Sequence, residues 1–430
     1  MFWNFLKKAA VQPTAETGAQ VAPTKQLPLS YLQKLIPLGD LPPTELLALP
    51  VTMRDFNPGD IIFNRGAEAE QLIYLYTGTI FLEGNNGAGY SAEADTFKAC
   101  YPLATYGEHA VSAIAKTPSQ VIYLPLSSLR RSSGKPVNNP LINPENIPPA
   151  LRGSFFFDRF CDTFRADNLR VPSLPDVALR LRSALQKDIS IAEAVKILNL
   201  DPVISSKLIQ VANSPIYRSS HPITSSHDAL IRLGFKTTQN LVTSISLHQL
   251  FRSHNKQLNT IIQTLWKQSI QIASLSHTLA ELTRKVNPDE ALLAGLTHNI
   301  GALPIVTFAE SLDSSQYSPE ELQASIDCLQ GLLGAHILKK WHFPDNFQQI
   351  PEHTANWYYD DGQGLQLNDV VLLAKFHSQL GGPQAHKLPP LNTLPAFQKL
   401  GDGVLTPDMS LKALQDAKLQ IAEALNFFRT

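Results

Sequence analysis

Cysteine, net charge and long apolar runs are all scarce in this chain of 430 residues. The three cysteines, Cys100, Cys161 and Cys328, are odd in number and far apart. They exclude a disulfide framework and read as small buried apolar residues in a reducing compartment. Lysine plus arginine (36) nearly balances aspartate plus glutamate (37), for a net charge of -1. A dedicated nucleic-acid binder needs a basic face to displace counterions, so no nucleic-acid partner is expected. No apolar run approaches the roughly 20 residues that span a bilayer. The apolar start is too short for a cleavable signal and precedes its lysines. A soluble cytoplasmic protein is the expectation. One segment qualifies it: Met1-Phe2-Trp3-Asn4-Phe5-Leu6-Lys7-Lys8 sets aromatics beside two lysines and could touch a membrane surface or a partner groove.

What is present is enough apolar material, 43% of residues, for two or three ordinary domains. Residues 1–27 read as a flexible tail, rich in Thr, Ala, Gln and Pro without periodicity. From about 50 to 126 the pattern is strand-like, inside a β domain placed at 28–130. Phe56-Asn57-Pro58-Gly59-Asp60 is a turn feeding Ile61-Ile62-Phe63. Leu72–Tyr76 and Thr79–Leu82 flank Thr77-Gly78, which reads as a hairpin. Val121–Leu124 is a further strand, stopped by Pro125. Short strands with glycine turns predict a small barrel or jelly-roll.

Prolines and glycine between 132 and 149 break the pattern, so a linker and connecting helix are placed at 131–165. Beyond it the chain reads as helical. Asp201-Pro202 opens a helix, because Asp caps free amides and Pro fits the first helical position. That helix is expected to carry Val203, Ile204, Leu208, Ile209 and Val211 inward and to stop near Asn213. Another begins near Asp289 with Leu292, Leu293, Leu296, Ile300 and Leu303 on one stripe. A helical domain is placed at 166–365 and a C-terminal helical extension at 366–430. The extension ends in an amphipathic helix bearing Leu411, Leu414, Ala417, Ile421, Leu425 and Phe428. The fold class is therefore multidomain: a small β-barrel or jelly-roll, then an all-α bundle.

Several motifs follow one another in order. Val171-Pro172-Ser173-Leu174-Pro175 comes first, then Asp201-Pro202, then Val211-Ala212-Asn213-Ser214-Pro215-Ile216-Tyr217. Ala229-Leu230-Ile231-Arg232-Leu233-Gly234 comes next, and Gly334 to Trp341 with Pro344 closes the series. On these residues the segment from about 167 to 362 resembles the HDOD family. That family is a divergent, regulatory branch of the HD and HD-GYP superfamily of metal-dependent phosphohydrolases. The resemblance implies a bundle in which histidines and aspartates once held a divalent metal that activates water. Carried over position by position, the first His falls at Gln268, behind Trp266. The His-Asp dyad falls at His298-Asn299, the third-helix His near Gln330, the His-His pair at His353-Thr354 and the late Asp at Lys375. Amides and a hydroxyl are weak neutral ligands and a lysine repels the ion, so neither a metal nor a cofactor is expected. On a helical wheel His298 shares a side with Ala294, Gly295, Gly301 and Ala302, small residues that let another helix or a ligand come close. His298 and His353 are read either as a residual pocket or as core histidines. His248 and His254 read as helix-surface residues.

Residues 50 to about 126 resemble a cyclic-nucleotide-binding domain. Phe56, Pro58-Gly59-Asp60, Ile62-Phe63, Arg65-Gly66-Ala67, Leu72–Leu75 and Gly78 carry that likeness. The phosphate cassette it implies falls at Phe97-Lys98-Ala99 and at Glu108-His109, without the Gly and Glu, and without the Arg whose fork would hold the phosphate. Lys98 and His109 are read as solvated surface residues, with an anion site as the alternative. The resemblances together imply a non-catalytic bacterial signalling regulator or scaffold that acts through contacts with unidentified signalling proteins. Self-assembly is left open. The alternatives are a sensor that binds a nucleotide or cyclic dinucleotide without hydrolysis, and a divergent metal-dependent phosphohydrolase.

Overall fold

The computed structural model describes residues 27–84, 89–104, 108–109, 111–128, 147–185, 189–214, 217, 221–380 and 385–400. The tail motif at Met1–Lys8, most of the Pro-rich break after 131 and the helix expected over 411–428 lie outside these residues. The chain divides into two compact units, Met1–Ser132 and Ser133–Thr430.

Among its described residues the first unit holds seven strands: β1 (Thr52–Phe56), β2 (Ile61–Phe63), β3 (Gln71–Thr77), β4 (Thr79–Glu83), β5 (Gly89–Glu93), β6 (Ser112–Ala115) and β7 (Ser119–Pro125). They form two antiparallel sheets, ordered β1-β7-β3 and β2-β6-β4-β5. Alternate residues of both sheets meet in one core, with Ile73, Leu75, Val121 and Tyr123 from the first and Phe63, Ile80 and Leu82 from the second. The hairpin expected at Thr77-Gly78 does not form. β3 pairs with β7, whereas β4 pairs with β5 and β6. The physical reason is loop length: Gly78 alone separates the strands, and a hairpin ordinarily needs two loop residues. The chain therefore turns a corner from one sheet to the other. β3 is buried on both faces (Leu72 to Leu75) because residues before β1 cover its outer side. There the Tyr74 hydroxyl donates to the Ile36 carbonyl (2.9 Å) and the Tyr31 hydroxyl to that of Leu75 (3.1 Å).

The second unit is helical: α1 (Phe155–Arg165), α2 (Asp176–Leu185), α3 (Ile191–Leu198), α4 (Pro202–Ala212), α5 (Ser226–Leu247), α6 (Lys256–Thr283), α7 (Pro288–Thr297), α8 (Ala302–Glu310), α9 (Pro319–Lys340) and α10 (Leu367–Gln379). The starts follow from local chemistry. Asp201 accepts from the amides of Val203 and Ile204, with Pro202 in the first turn. Ser190 with Glu193, and Ser318 with Glu321, form capping boxes. In α4, Ile204, Leu208 and Val211 are buried as expected, but Val203 is 60% exposed, because it falls on the outward side of the turn that buries Ile204.

Two cores result. A smaller one gathers α2 to α5 around Leu181, Leu198, Leu208 and Leu241. The larger one takes residues of α1 and of α6 to α10. The connecting helix expected within 131–165 is α1, and it is part of this core: Phe156 packs on Phe308 and Tyr317. The core also continues past 365, since Val370, Leu373 and Phe376 of α10 are buried in it. Among the described residues, Pro288–Glu310 is long and apolar enough to cross a membrane, yet it is 89% buried inside the unit. Its stripe of leucines is a core element, broken between Thr297 and Ala302 by a turn.

That turn is clamped. A Cβ on Gly295 would stand 2.4 Å from Ala273 Cα of α6, and one on Gly301 would stand 1.9 Å from the Gln330 carbonyl oxygen of α9. Both contacts are with backbone, which cannot swing aside. Replacing Gly301 with alanine is expected to lower the stability of the helical unit by about 1–3 kcal/mol through forced separation of the helices. Thermal or denaturant unfolding followed by circular dichroism checks this, and an unchanged midpoint would show that the clamp is slack.

Candidate functional site

The clamped turn delivers His298 and Asn299 to the floor of a cavity of about 670 Å³. α6 supplies Gln268 from its exposed side, α9 supplies Gln330, the turn after Ile350–His353 supplies Thr354, and α10 supplies Lys375. These are the positions at which the HD resemblance places lost ligands, so residues up to 107 apart in sequence line one cavity. His353 is the exception. It does not line the cavity; its ring stacks on Tyr359 with centroids 3.6 Å apart. The residual pocket expected from His298 and His353 together is therefore not formed by both.

His298 is 8% exposed. Its Nδ1 lies 2.6 Å from the Gly295 carbonyl oxygen, a contact that only a protonated Nδ1 can make as a hydrogen bond. Nε2 then carries the lone pair. Burial pushes the ring down to about 4, with the cation on Lys375 adding to the effect and the Gly295 bond opposing it. The imidazole is neutral at pH 7.

Asn299, 4% exposed, is held at both ends. Its Oδ1 accepts from the Ser269 hydroxyl (2.7 Å) and its Nδ2 donates to the Leu265 carbonyl (3.2 Å). Thr354 turns its hydroxyl back to the Ile350 carbonyl (2.8 Å). The Thr354 carbonyl in turn accepts from the Lys375 ammonium (2.8 Å), which also stands 5.1 Å from the centre of the Trp357 ring. Burial pulls the amine of Lys375 down to about 8, with Asp327 opposing the shift.

The donor set does not fit a divalent metal. Of the residues at the matched positions only His298 offers a free lone pair of the right kind, and the lining carboxylate Asp327 already accepts from Gln323 (2.9 Å). Asn299 and Thr354 are engaged elsewhere, Gln268 and Gln330 are amides, and Lys375 brings a positive charge. Among the described residues, no group of three or more His, Cys, Asp or Glu side chains is placed to hold a metal.

Sequence reasoning missed further lining residues: Gln271, Gln323, Asp327, Ser378 and Lys387. Helical spacing could have found three of them. Gln271 lies one turn beyond Gln268, Asp327 one turn before Gln330, and Ser378 one turn beyond Lys375, on the same helix faces. His248 is half-buried and stacks on Trp266 (5.2 Å), a correction to its reading as a surface residue. His254 is exposed but lies in the turn before α6 rather than on a helix.

In the first unit the expected cassette residues serve local packing. Phe97–Cys100 is a short 3-10 turn with Phe97 exposed and Ala99 in the core. Lys98 is exposed, with its amine 5.1 Å from the centre of the Tyr90 ring. His109 is not a solvated residue: half-buried, it stacks on Phe63 at 4.1 Å, and burial lowers its pKa. Glu108 is exposed and bridges to Glu68 through the backbone. Among the described residues no hydrogen bond or ring contact joins Lys98 to His109.

Comparison with known proteins adds the family. The HDOD domain model matches residues 171–356. A relative from Treponema pallidum (strain Nichols), itself uncharacterized, is 23% identical over 193 residues, which are 41% of this chain and 36% of that protein. This chain thus spans about a third of the length of that relative. A solved structure from Shewanella amazonensis SB2B, provisionally named a metal-dependent phosphohydrolase, aligns with a TM-score of 0.54 at 26% identity. The alignment covers 64% of this chain and 98% of that one. A cyclic nucleotide-binding-like protein from Brucella abortus aligns with a TM-score of 0.21 at 18% identity, covering 25% of this chain and 97% of that one. Residues 171–356, less than half of the chain, are thus similar to the HDOD domain family.

Proposed function

We propose that the helical unit is a non-hydrolytic regulatory module of a signalling protein, one that works by contact with another protein. The observation that carries this reading is the Lys375 ammonium, fixed on the Thr354 carbonyl in the cavity that His298 and Asn299 floor. Hydrolysis by the superfamily's chemistry needs a metal to generate hydroxide and to neutralise a phosphate. An ammonium supplies charge but no open coordination position. The name of the Shewanella protein suggests the opposite reading. That reading would need a carboxylate beside His298, where this chain has Asn299; the carboxylate among the cavity's lining residues, Asp327, accepts from Gln323 (2.9 Å).

A second reading is favoured by the cavity itself. At about 670 Å³ it is of ligand size, and it presents Lys375, a neutral His298 and several amides. A nucleotide-like anion that binds there without turnover would make the unit a sensor.

Two outcomes are expected. The purified chain should retain no stoichiometric manganese, iron or zinc by elemental analysis. It should not hydrolyse cyclic nucleotides, cyclic dinucleotides or nucleoside phosphates when these metals are supplied. Stoichiometric metal with turnover would sink the regulatory reading.

The second outcome concerns acid stability. His298 titrates near 4 when folded and near 6.5 when unfolded, so the unfolded chain binds the extra proton between those values. Stability is therefore lost as pH falls from about 6.5 to about 4, by on the order of 3 kcal/mol from this residue. His353, likewise pushed down to about 4 by burial, adds to the same limb. His298→Asn, which can still donate to the Gly295 carbonyl, should flatten that limb in denaturant titrations at several pH values. Equal slopes for variant and parent would show that His298 is not held neutral by burial.

A further inference from the structure

A second cavity, of about 310 Å³, lies in the helical unit and shares no lining residue with the first. α2 contributes Arg182, α5 contributes Lys236, Gln239 and Asn240, and the start of α7 contributes Glu290 and Leu293. The turn after α9 adds His342, Phe343, Pro344 and Phe347. Two of the motifs noted in the sequence therefore flank it: the Ala229–Gly234 motif ends just before Lys236, and the Trp341–Pro344 motif forms one wall.

We propose that this cavity binds the phosphoryl group of a small organic phosphate, with Arg182 as the anion fork and Asn240 as a buried polar contact. Arg182 lies over Phe343, its guanidinium carbon 3.7 Å from the ring centre. The ring contact steadies the guanidinium, and among the described residues no hydrogen bond or ion pair engages its N–H groups, which can take an oxyanion in a bidentate grip. Among the described residues no carboxylate is paired with it. Arg182 is half-buried; a partly desolvated cation without a counter-ion is costly, and a bound anion would remove that cost. Burial alone pulls Arg182 down to about 10, which agrees with a desolvated and unpaired group.

Asn240 gives an independent sign. It is 8% exposed, lines the cavity, and its Nδ2 has no hydrogen-bond partner. Buried amides are ordinarily satisfied, so an orphan beside a cavity points to an absent partner. Rotation about Cβ–Cγ exchanges its nitrogen and oxygen, so the donor can face the cavity. The remaining charges are Lys236 and Glu290, which pair with each other at the cavity; the exposed Lys236 would have to leave that pair to meet a dianion. The volume exceeds that of a bare ion, and Leu293, Phe343 and Phe347 form an apolar wall for the organic part.

The test is isothermal titration of the full chain at constant ionic strength with phenyl phosphate, inorganic phosphate and benzoate. Phenyl phosphate should bind at one site and inorganic phosphate more weakly. Arg182→Gln should weaken phenyl phosphate by about tenfold or more, as expected for loss of a charge-assisted bond. Arg182→Lys, which keeps the charge without the fork, should fall between the two. Circular dichroism reports whether the variants fold. If Arg182→Gln does not fold, Lys236→Met, on the exposed side of the cavity, should still weaken binding several-fold. The proposal is overturned by absence of binding, by equal affinity in the variants, or by benzoate binding as tightly as phenyl phosphate. It is also overturned if Lys375→Met abolishes binding while Arg182→Gln does not, since that would place the ligand in the first cavity.

Discussion

Backbone approach at Gly295 and Gly301 is the constraint on which the helical unit depends. α6 passes Gly295 and α9 passes Gly301 at distances that no side chain would allow. Between these two contacts lies the turn that carries His298 and Asn299. With both flanks fixed, the imidazole can reach only the Gly295 carbonyl below it, and the carboxamide only Ser269 and Leu265. The cavity is what remains above. Its floor is set by backbone packing, and the chemistry of the floor by two side chains that the packing holds in place.

The motifs that mark the family do their work elsewhere. Trp341 donates its indole N–H to the Pro172 carbonyl (3.0 Å), joining the end of α9 to the segment before α2. Arg232 donates to the Tyr217 carbonyl, and the Tyr217 hydroxyl donates to Asp289. Thr237 donates to the other oxygen of Asp289 (2.7 Å). Gly234 breaks α5 with a φ of 77°, a conformation that glycine adopts at little cost. Asp201 caps α4. None of these residues lines the first cavity. Structural signature and cavity chemistry are thus carried by separate residues, and the first can persist while the second changes.

This separation explains what could be read from the sequence. Helix starts were legible wherever a cap and a proline act within four residues of each other, as at Asp201-Pro202, because that chemistry is local. The gathering of Gln268, His298, Asn299, Gln330, Thr354 and Lys375 was legible only through resemblance, since no spacing in the chain reports contacts across α6, α7, α9 and α10. The pairing of β3 was not legible. A strand, one glycine and another strand look alike whether the chain folds back or crosses between sheets, and the partner that decides it, β7, is more than 40 residues away. Val203 failed for a related reason: a first-turn residue can be apolar and still face outward. Arg182 and Asn240 carried no signal at all, because an unpaired cation and an unsatisfied amide are properties of the packed state.

Lys375 shows most clearly what the exchange of residues does to the first cavity. A divalent metal would give the floor two properties, positive charge and an open coordination position at which water becomes hydroxide. The Lys375 ammonium keeps part of the first and none of the second. Its charge helps to hold His298 neutral, as a metal bound at Nε2 would require. One of its protons, however, is directed to the Thr354 carbonyl. On the reading proposed above, a cavity so arranged attracts an anion and does not cleave it. The regulatory and sensing readings both start from this point. They differ only in whether an anion is what changes the surface that a partner protein meets.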